Sequence, residues 1–261
     1  MPLLDWLNGE IEYVVTGNGP PVTVFAHGLA GSIPETRPFG SGVDGTRVFL
    51  HFRGHGASSA PVGTCTYAAL ADELRAVADH VGASSALGIS LGAGALTRLV
   101  AQTPDRFERL VFVLPSAVDQ PRADPAVSRM HDMARLVDAG DVESVAELLC
   151  REQPAEARSR PEVRIWASRQ SRRLARTAVS GVLRELATRA PIEDRQQLAS
   201  VGVPALVIAQ QGDDAHPEAV ARTLADALPN SALRVFDAAG VLWSHRSELR
   251  DLIAGFLNRV P

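Results

Sequence analysis

The 261-residue chain contains no lysine, so all 26 of its basic residues are arginine. We assign this usage to coding bias rather than to chemistry. Against 30 acidic residues they leave a net charge of −4, too mild for a nucleic-acid or anionic-membrane partner. Only two cysteines are present, Cys65 and Cys150, far apart and without metal-ligand spacing. That excludes a disulfide scaffold and predicts two reduced thiols. No apolar run approaches the ~18 residues that span a bilayer. The opening "MPLLDWLNGE" lacks the basic and long apolar regions of a signal peptide. The expectation is a soluble, cytoplasmic protein. Internal repeats and low-complexity segments are also missing.

What is present is apolar residue in quantity, 46%, enough for one large core. Short β-branched runs alternate with helical periods in the first half. "IEYVV", "PVTVFAHG", "RVFLHF", "ALGIS" and "RLVFVLPSA" read as strands; "TYAALADELRAVADHVG" and "LGAGALTRLVAQ" read as helices. After Ala117 the strands stop. "AVSRMHDMARLVDAG", "DVESVAELLC" with Asp141 as N-cap, and a longer pattern through Leu186 are all helical. The alternation then resumes with "PALVIAQQ", "HPEAVARTLADALP", "ALRVFDA" and a helix ending in "LIAGFL". This predicts an α/β fold with a mostly parallel sheet flanked by helices. Residues 1–117 and 196–261 form its core, and 118–195 form a helical insertion.

The strongest chemical signal is "ALGISLGAG", with Ser90 at the centre of G-x-S-x-G. The motif follows a strand and opens a helix, the context in which a tight turn presents a nucleophilic serine. The helix N-terminus beneath it favours developing negative charge. Upstream, "VTVFAHGLAGS" places His27-Gly28-Leu29 at a strand end, so the amides of Leu29 and Leu91 are the candidate oxyanion donors. His27 itself reads as a residue bracing the loop, and His55, between Gly54 and Gly56, as a turn stabiliser.

On these motifs the chain resembles the α/β-hydrolase superfamily over nearly its whole length. "HGLAGS" is similar to that family's oxyanion loop, and "HFRGHGASS" to its D-x-R-G-x-G-x-S turn, with His51 in place of the aspartate. "PALVIAQQGDDAHP" resembles the strand carrying the catalytic acid, and the insertion sits where the family places a lid. The spacing to Pro217 selects Asp213 over Asp214 as that acid. The resemblance implies a histidine soon after a glycine beyond the last strand, but "FDAAGVLWSHRSELRDLI" puts Val241 after Gly240. His245, the only histidine beyond that strand, is the candidate base. The competing readings are a surface residue on the first turn of a helix capped by Ser244, and His216 as the base instead.

The expected function is a serine hydrolase cleaving an ester or related acyl substrate, with Ser90, Asp213 and His245 as catalytic residues. No metal or organic cofactor is implied. The expected partner is a partly apolar small molecule, and a homo-oligomer is compatible with the composition. Two alternatives stand beside this reading: a catalytically impaired binding or scaffolding protein, favoured by Val241, and a non-hydrolytic lyase or cyclase. The arginine-rich "SRQSRRLARTAV" is expected to be a solvated helix face. Trp166, Met130 and Met133 are expected in the insertion's own core, some of them facing substrate.

Overall fold

A computed structural model describes residues 1–7, 9–60, 64–238 and 240–259. Eight strands alternate with nine helices among these residues. The strands are β1 (Leu3–Trp6), β2 (Gly9–Thr16), β3 (Val22–Ala26), β4 (Thr46–Leu50), β5 (Ser85–Ile89), β6 (Arg109–Val113), β7 (Ala205–Gln210) and β8 (Ser231–Phe236). They form one sheet in the order β1-β2-β4-β3-β5-β6-β7-β8. β1 and β2 pair antiparallel, as do β2 and β4, and every other pair is parallel.

Both faces of the central strands are buried, which is why they read as continuous apolar runs rather than alternating ones. Successive side chains still go to opposite faces. Val24, Ala26, Leu110 and Phe112 join one core; Phe25, Val111 and Val113 join the other. The first core is covered by α2 (Tyr67–His80), α3 (Leu91–Gln102) and α8 (Glu218–Ala227), which contribute Leu70, Leu74, Leu96, Leu99 and Leu224. The second is covered by α1 (Ile33–Thr36) and α9 (Arg246–Leu257), through Ile33, Leu249, Ile253 and Leu257. Each such fully buried side chain contributes about 1.5–3 kcal/mol.

Between β6 and β7 lie four helices: α4 (Asp124–Asp138), α5 (Val142–Arg151), α6 (Pro161–Leu174) and α7 (Val179–Ala187). The Asp141 side chain caps α5 by accepting from the Ser144 amide at 3.0 Å. Val145, Leu148, Val163, Ala167, Val182 and Leu186 are among the buried residues of these helices. Met133 is buried among them and Met130 packs at their edge. Arg169, Arg172 and Arg176 are exposed, whereas Arg173 turns inward to Glu35. Cys65 is buried and Cys150 half-buried, and both are free thiols. Among the described residues, no helix is long and apolar enough to cross a membrane.

Candidate active site

The turn from β5 into α3 carries Ser90 at φ 49°, ψ −103°, a left-handed conformation that a non-glycine residue adopts only where its surroundings hold it. Close backbone approach demands the flanking glycines. A Cβ on Gly88 would lie 2.3 Å from the Gly92 carbonyl oxygen, and one on Gly92 would lie 2.5 Å from that of Ala26. Two hydrogen bonds pin the turn, from the Ser90 amide to the Val113 carbonyl (2.9 Å) and from the Gly92 amide to the His27 carbonyl (3.1 Å).

The loop after β3 lies against this turn. A Cβ on Gly28 would sit 3.4 Å from the Ser90 Cβ. Three buried histidines hold the loop. The Nε2 atoms of His27, His55 and His51 accept from the amides of Phe52 (3.0 Å), Ala30 (3.1 Å) and Ile33 (2.9 Å). Each ring proton therefore resides on Nδ1, donating to Gly28 O (2.7 Å), Arg53 O (3.0 Å) and Glu12 Oε2 (2.7 Å) respectively. Burial is the main reason all three resist protonation. It holds His27 well below the usual imidazole range and His55 down at about 4. His51 is also lowered by burial, with Glu12 partly opposing. His51 thus braces the loop where the resemblance leads one to expect an aspartate. The amides of Leu29 and Leu91 donate to no protein acceptor among the described residues.

A histidine meets Ser90 from an unexpected place. His216 Nε2 accepts from Ser90 Oγ at 2.9 Å, and its Nδ1–H donates to Asp213 Oδ2 at 3.0 Å. Acid and imidazole thus share one turn, three residues apart, after β7. Asp213 Oδ1 closes that turn by accepting from the amides of Ala215 (2.9 Å) and His216 (3.0 Å). The Gln210 amide donates to Asp213 Oδ2 at 2.5 Å. Burial pushes the Asp213 carboxyl up, but His216 and the Gln210 donor together outweigh it and hold the group at about 2. Asp214 is exposed and takes no part in the chain.

His245 is not brought to Ser90 or Asp213. Its Nε2 pairs with Asp237 Oδ1 at 2.8 Å, its Nδ1 lies 3.4 Å from Glu248 Oε2, and its ring rests on Phe236. The hydrogen bond it donates to Asp237 is the first cause raising its pKa. The reason is local. The amides of Trp243 and Ser244 both fold back onto the Gly240 carbonyl, at 2.9 and 2.8 Å, so α9 begins at Arg246 with His245, not Ser244, at its N-cap. Val241 fills the expected base position. It is fully buried in the second core, and its amide donates to Gln210 Oε1 at 2.8 Å. Gln210, which the sequence reading missed, therefore ties Val241 to Asp213. Its only signal was a polar residue ending an apolar strand.

Beside Ser90 opens a cavity of about 380 Å³, lined by Leu29, Phe39, Ile89, Trp166, Leu242 and Trp243 among others. The two indoles meet edge to face at 5.7 Å. Trp166 Nε1 donates to Glu35 at 2.8 Å and Trp243 Nε1 to Gln153 at 2.9 Å, so both rings offer only apolar surface. Ser90, Asp213 and His216 do not themselves line this cavity, which reaches the site through Gly28 and Ile89.

A model of the alpha/beta hydrolase fold matches residues 21–242, and the chain belongs to that family. Among solved structures it is similar to the enol-lactonase of Burkholderia xenovorans LB400, with 22% identity, TM-score 0.84, and 99% of this chain and 100% of that one covered. A thermophilic esterase of Thermogutta terrifontis shares 21% identity, with TM-score 0.79 and coverage of 95% and 93%. The esterase EaEST of Exiguobacterium antarcticum shares 18%, with TM-score 0.77 and coverage of 96% on both sides. At these identities the likeness speaks for the fold. No curated protein matches the sequence significantly.

Proposed function

We propose that the chain is a serine hydrolase acting on an ester or related acyl compound, with Ser90 as nucleophile, His216 as base and Asp213 as its orienting acid. The observation that carries this reading is the unbroken hydrogen-bond chain from Ser90 Oγ through both nitrogens of His216 to Asp213. Ser90 Oγ bonds to the substrate carbonyl carbon as its proton passes to His216 Nε2. The negative charge on the carbonyl oxygen is met by the amides of Leu29 and Leu91, a pair of donors worth about 3 kcal/mol each in a preorganised site. The carbon–oxygen bond to the alcohol then breaks, and the departing oxygen takes the proton from His216. Water enters by the reverse sequence, with His216 accepting its proton, and releases the acid from Ser90. The helices α4–α7 serve as the lid over this site. The binding-protein alternative rested on Val241, and His216 removes that support.

Labelling with a fluorophosphonate probe tests the assignment. Wild type and His245→Ala are expected to label promptly at Ser90. His216→Ala should slow labelling and ester turnover by about 10,000-fold or more, and Ser90→Ala should abolish both. Unchanged labelling in His216→Ala would sink the base assignment.

A further inference from the structure

Two arginines, Arg246 and Arg250, stand on successive turns of α9 and line the cavity beside the Trp166 and Trp243 indoles. Both are exposed, which places them at its open side. Arg246 is held there without being neutralised. Its Nε donates to the Leu242 carbonyl at 2.6 Å, and its guanidinium carbon lies 5.1 Å from the centre of the Trp243 ring. Among the described residues no carboxylate pairs with it, and its two terminal nitrogens reach no acceptor. Arg250 meets only its neighbour Asp251, at 2.9 Å, in a pair 46% and 68% exposed and therefore weak.

The carboxylates nearby are already paired. Glu35, the one carboxylate among the residues lining the cavity, accepts from Trp166, Arg173 and Ser32. Glu248, between the two arginines in sequence, pairs with Arg234 and His245. The cavity thus combines apolar walls with an excess of positive charge at its open side. A guanidinium fixed through its Nε and its face still offers the N–H groups of both terminal nitrogens, a fork that matches a carboxylate. Because the side chain is already ordered, little rotamer freedom is lost when it binds.

We infer that this cavity binds an apolar small molecule that ends in a carboxylate. The apolar body lies against the two indoles, the carboxylate meets the terminal nitrogens of Arg246, and Arg250 adds charge beside it. Resting on the hydrolase reading, the substrate class is an ester that keeps a free carboxylate at the end remote from the scissile bond.

Two series of esters test this. Mono-ethyl suberate, azelate and sebacate carry the carboxylate on the acyl side; the acetates of ω-hydroxyoctanoate and ω-hydroxydecanoate carry it on the alcohol side. Each is compared with the primary amide that replaces its carboxylate. In wild type at least one acid should exceed its amide about 10-fold in kcat/KM, and its series identifies which side of the ester occupies the cavity. Raising the salt to about 0.5 M should narrow that ratio. Arg246→Gln should bring the ratio close to one, and Arg250→Gln should lower it by a smaller factor. Arg246→Lys, which keeps the charge but not the fork, should lose part of the ratio and serves where the glutamine variant fails to fold. A bracing role alone for Arg246 would lower acid and amide together and leave their ratio unchanged. That result, or a ratio near one in wild type for both series, overturns the inference.

Calorimetry of the same acids and amides with Ser90→Ala separates the inference from the hydrolase reading. A preference for the acid that Arg246→Gln removes, in a protein without esterase activity or Ser90 labelling, would retain the carboxylate site and discard the hydrolase. Equal binding of acid and amide, in a protein that does hydrolyse esters, would do the opposite.

Discussion

Three neutral imidazoles hold the loop that carries Leu29, and each does so by accepting a backbone N–H that a protonated ring would repel. Protonating any of them therefore breaks a bond as well as burying a charge. For His55, held near 4 against an ordinary value of about 6.5, the neutral form is favoured on folding. The unfolded chain takes up the proton first as pH falls, so stability is intact above 6.5 and declines toward 4. The loss from this residue alone is about 3 kcal/mol. Asp213, held near 2, stays ionised in the folded protein through that window, and its own contribution is lost mainly below it, as pH falls from about 3.8 toward 2. Urea melts of Ser90→Ala at pH 7 and pH 4.5 should show a clear drop in midpoint. A flat profile would mean that the three rings are charged in the folded protein.

Among the elements, α6 joins the insertion to the core through one carboxylate. Glu35, in the first turn of α1, accepts from Trp166 and pairs with Arg173, while Arg173 also donates to Ser32. Glu35→Ala leaves three donors, on Trp166, Arg173 and Ser32, without that acceptor and should cost about 1–3 kcal/mol. Hydrogen exchange should quicken along α6 and leave the β5 and β6 amides protected; uniform quickening would contradict this local role. The elements themselves were largely legible, because periodicity records burial and burial is what strands and helices are for. β5, α3 and the cap of α5 lie where their patterns end. The four-residue β1, at a sheet edge, has too short an alternation to stand out. The histidine that bonds to Ser90 was hard to read for a different reason. Chain order Ser, Asp, His is kept, but His216 follows the acid by three residues inside an Asp-closed turn. Only the fold decides between two histidines that both satisfy the order. Gln210 was illegible because a glutamine closing an apolar run carries no periodic signal.

Across the whole molecule no side chain carries a primary amine, so mild amine-directed acetylation finds no lysine and leaves the pairs Arg173–Glu35 and Arg53–Glu73 untouched. Activity and melting temperature should survive such treatment within about twofold and a few degrees; a large loss would place the N-terminal amine in the working structure. The turn that holds both Asp213 and His216 has a wider consequence. Where acid and base ride on separate loops, each loop is constrained by the reaction. Here the segment from Gly240 to Ser244 contributes no proton carrier; apart from the Val241 amide bonded to Gln210, it supplies the Leu242 and Trp243 walls of the cavity. On the proposed function, sequence change at Leu242 and Trp243 can therefore reshape the cavity without touching the groups that carry the proton, leaving one loop conservative and its neighbour free to diversify.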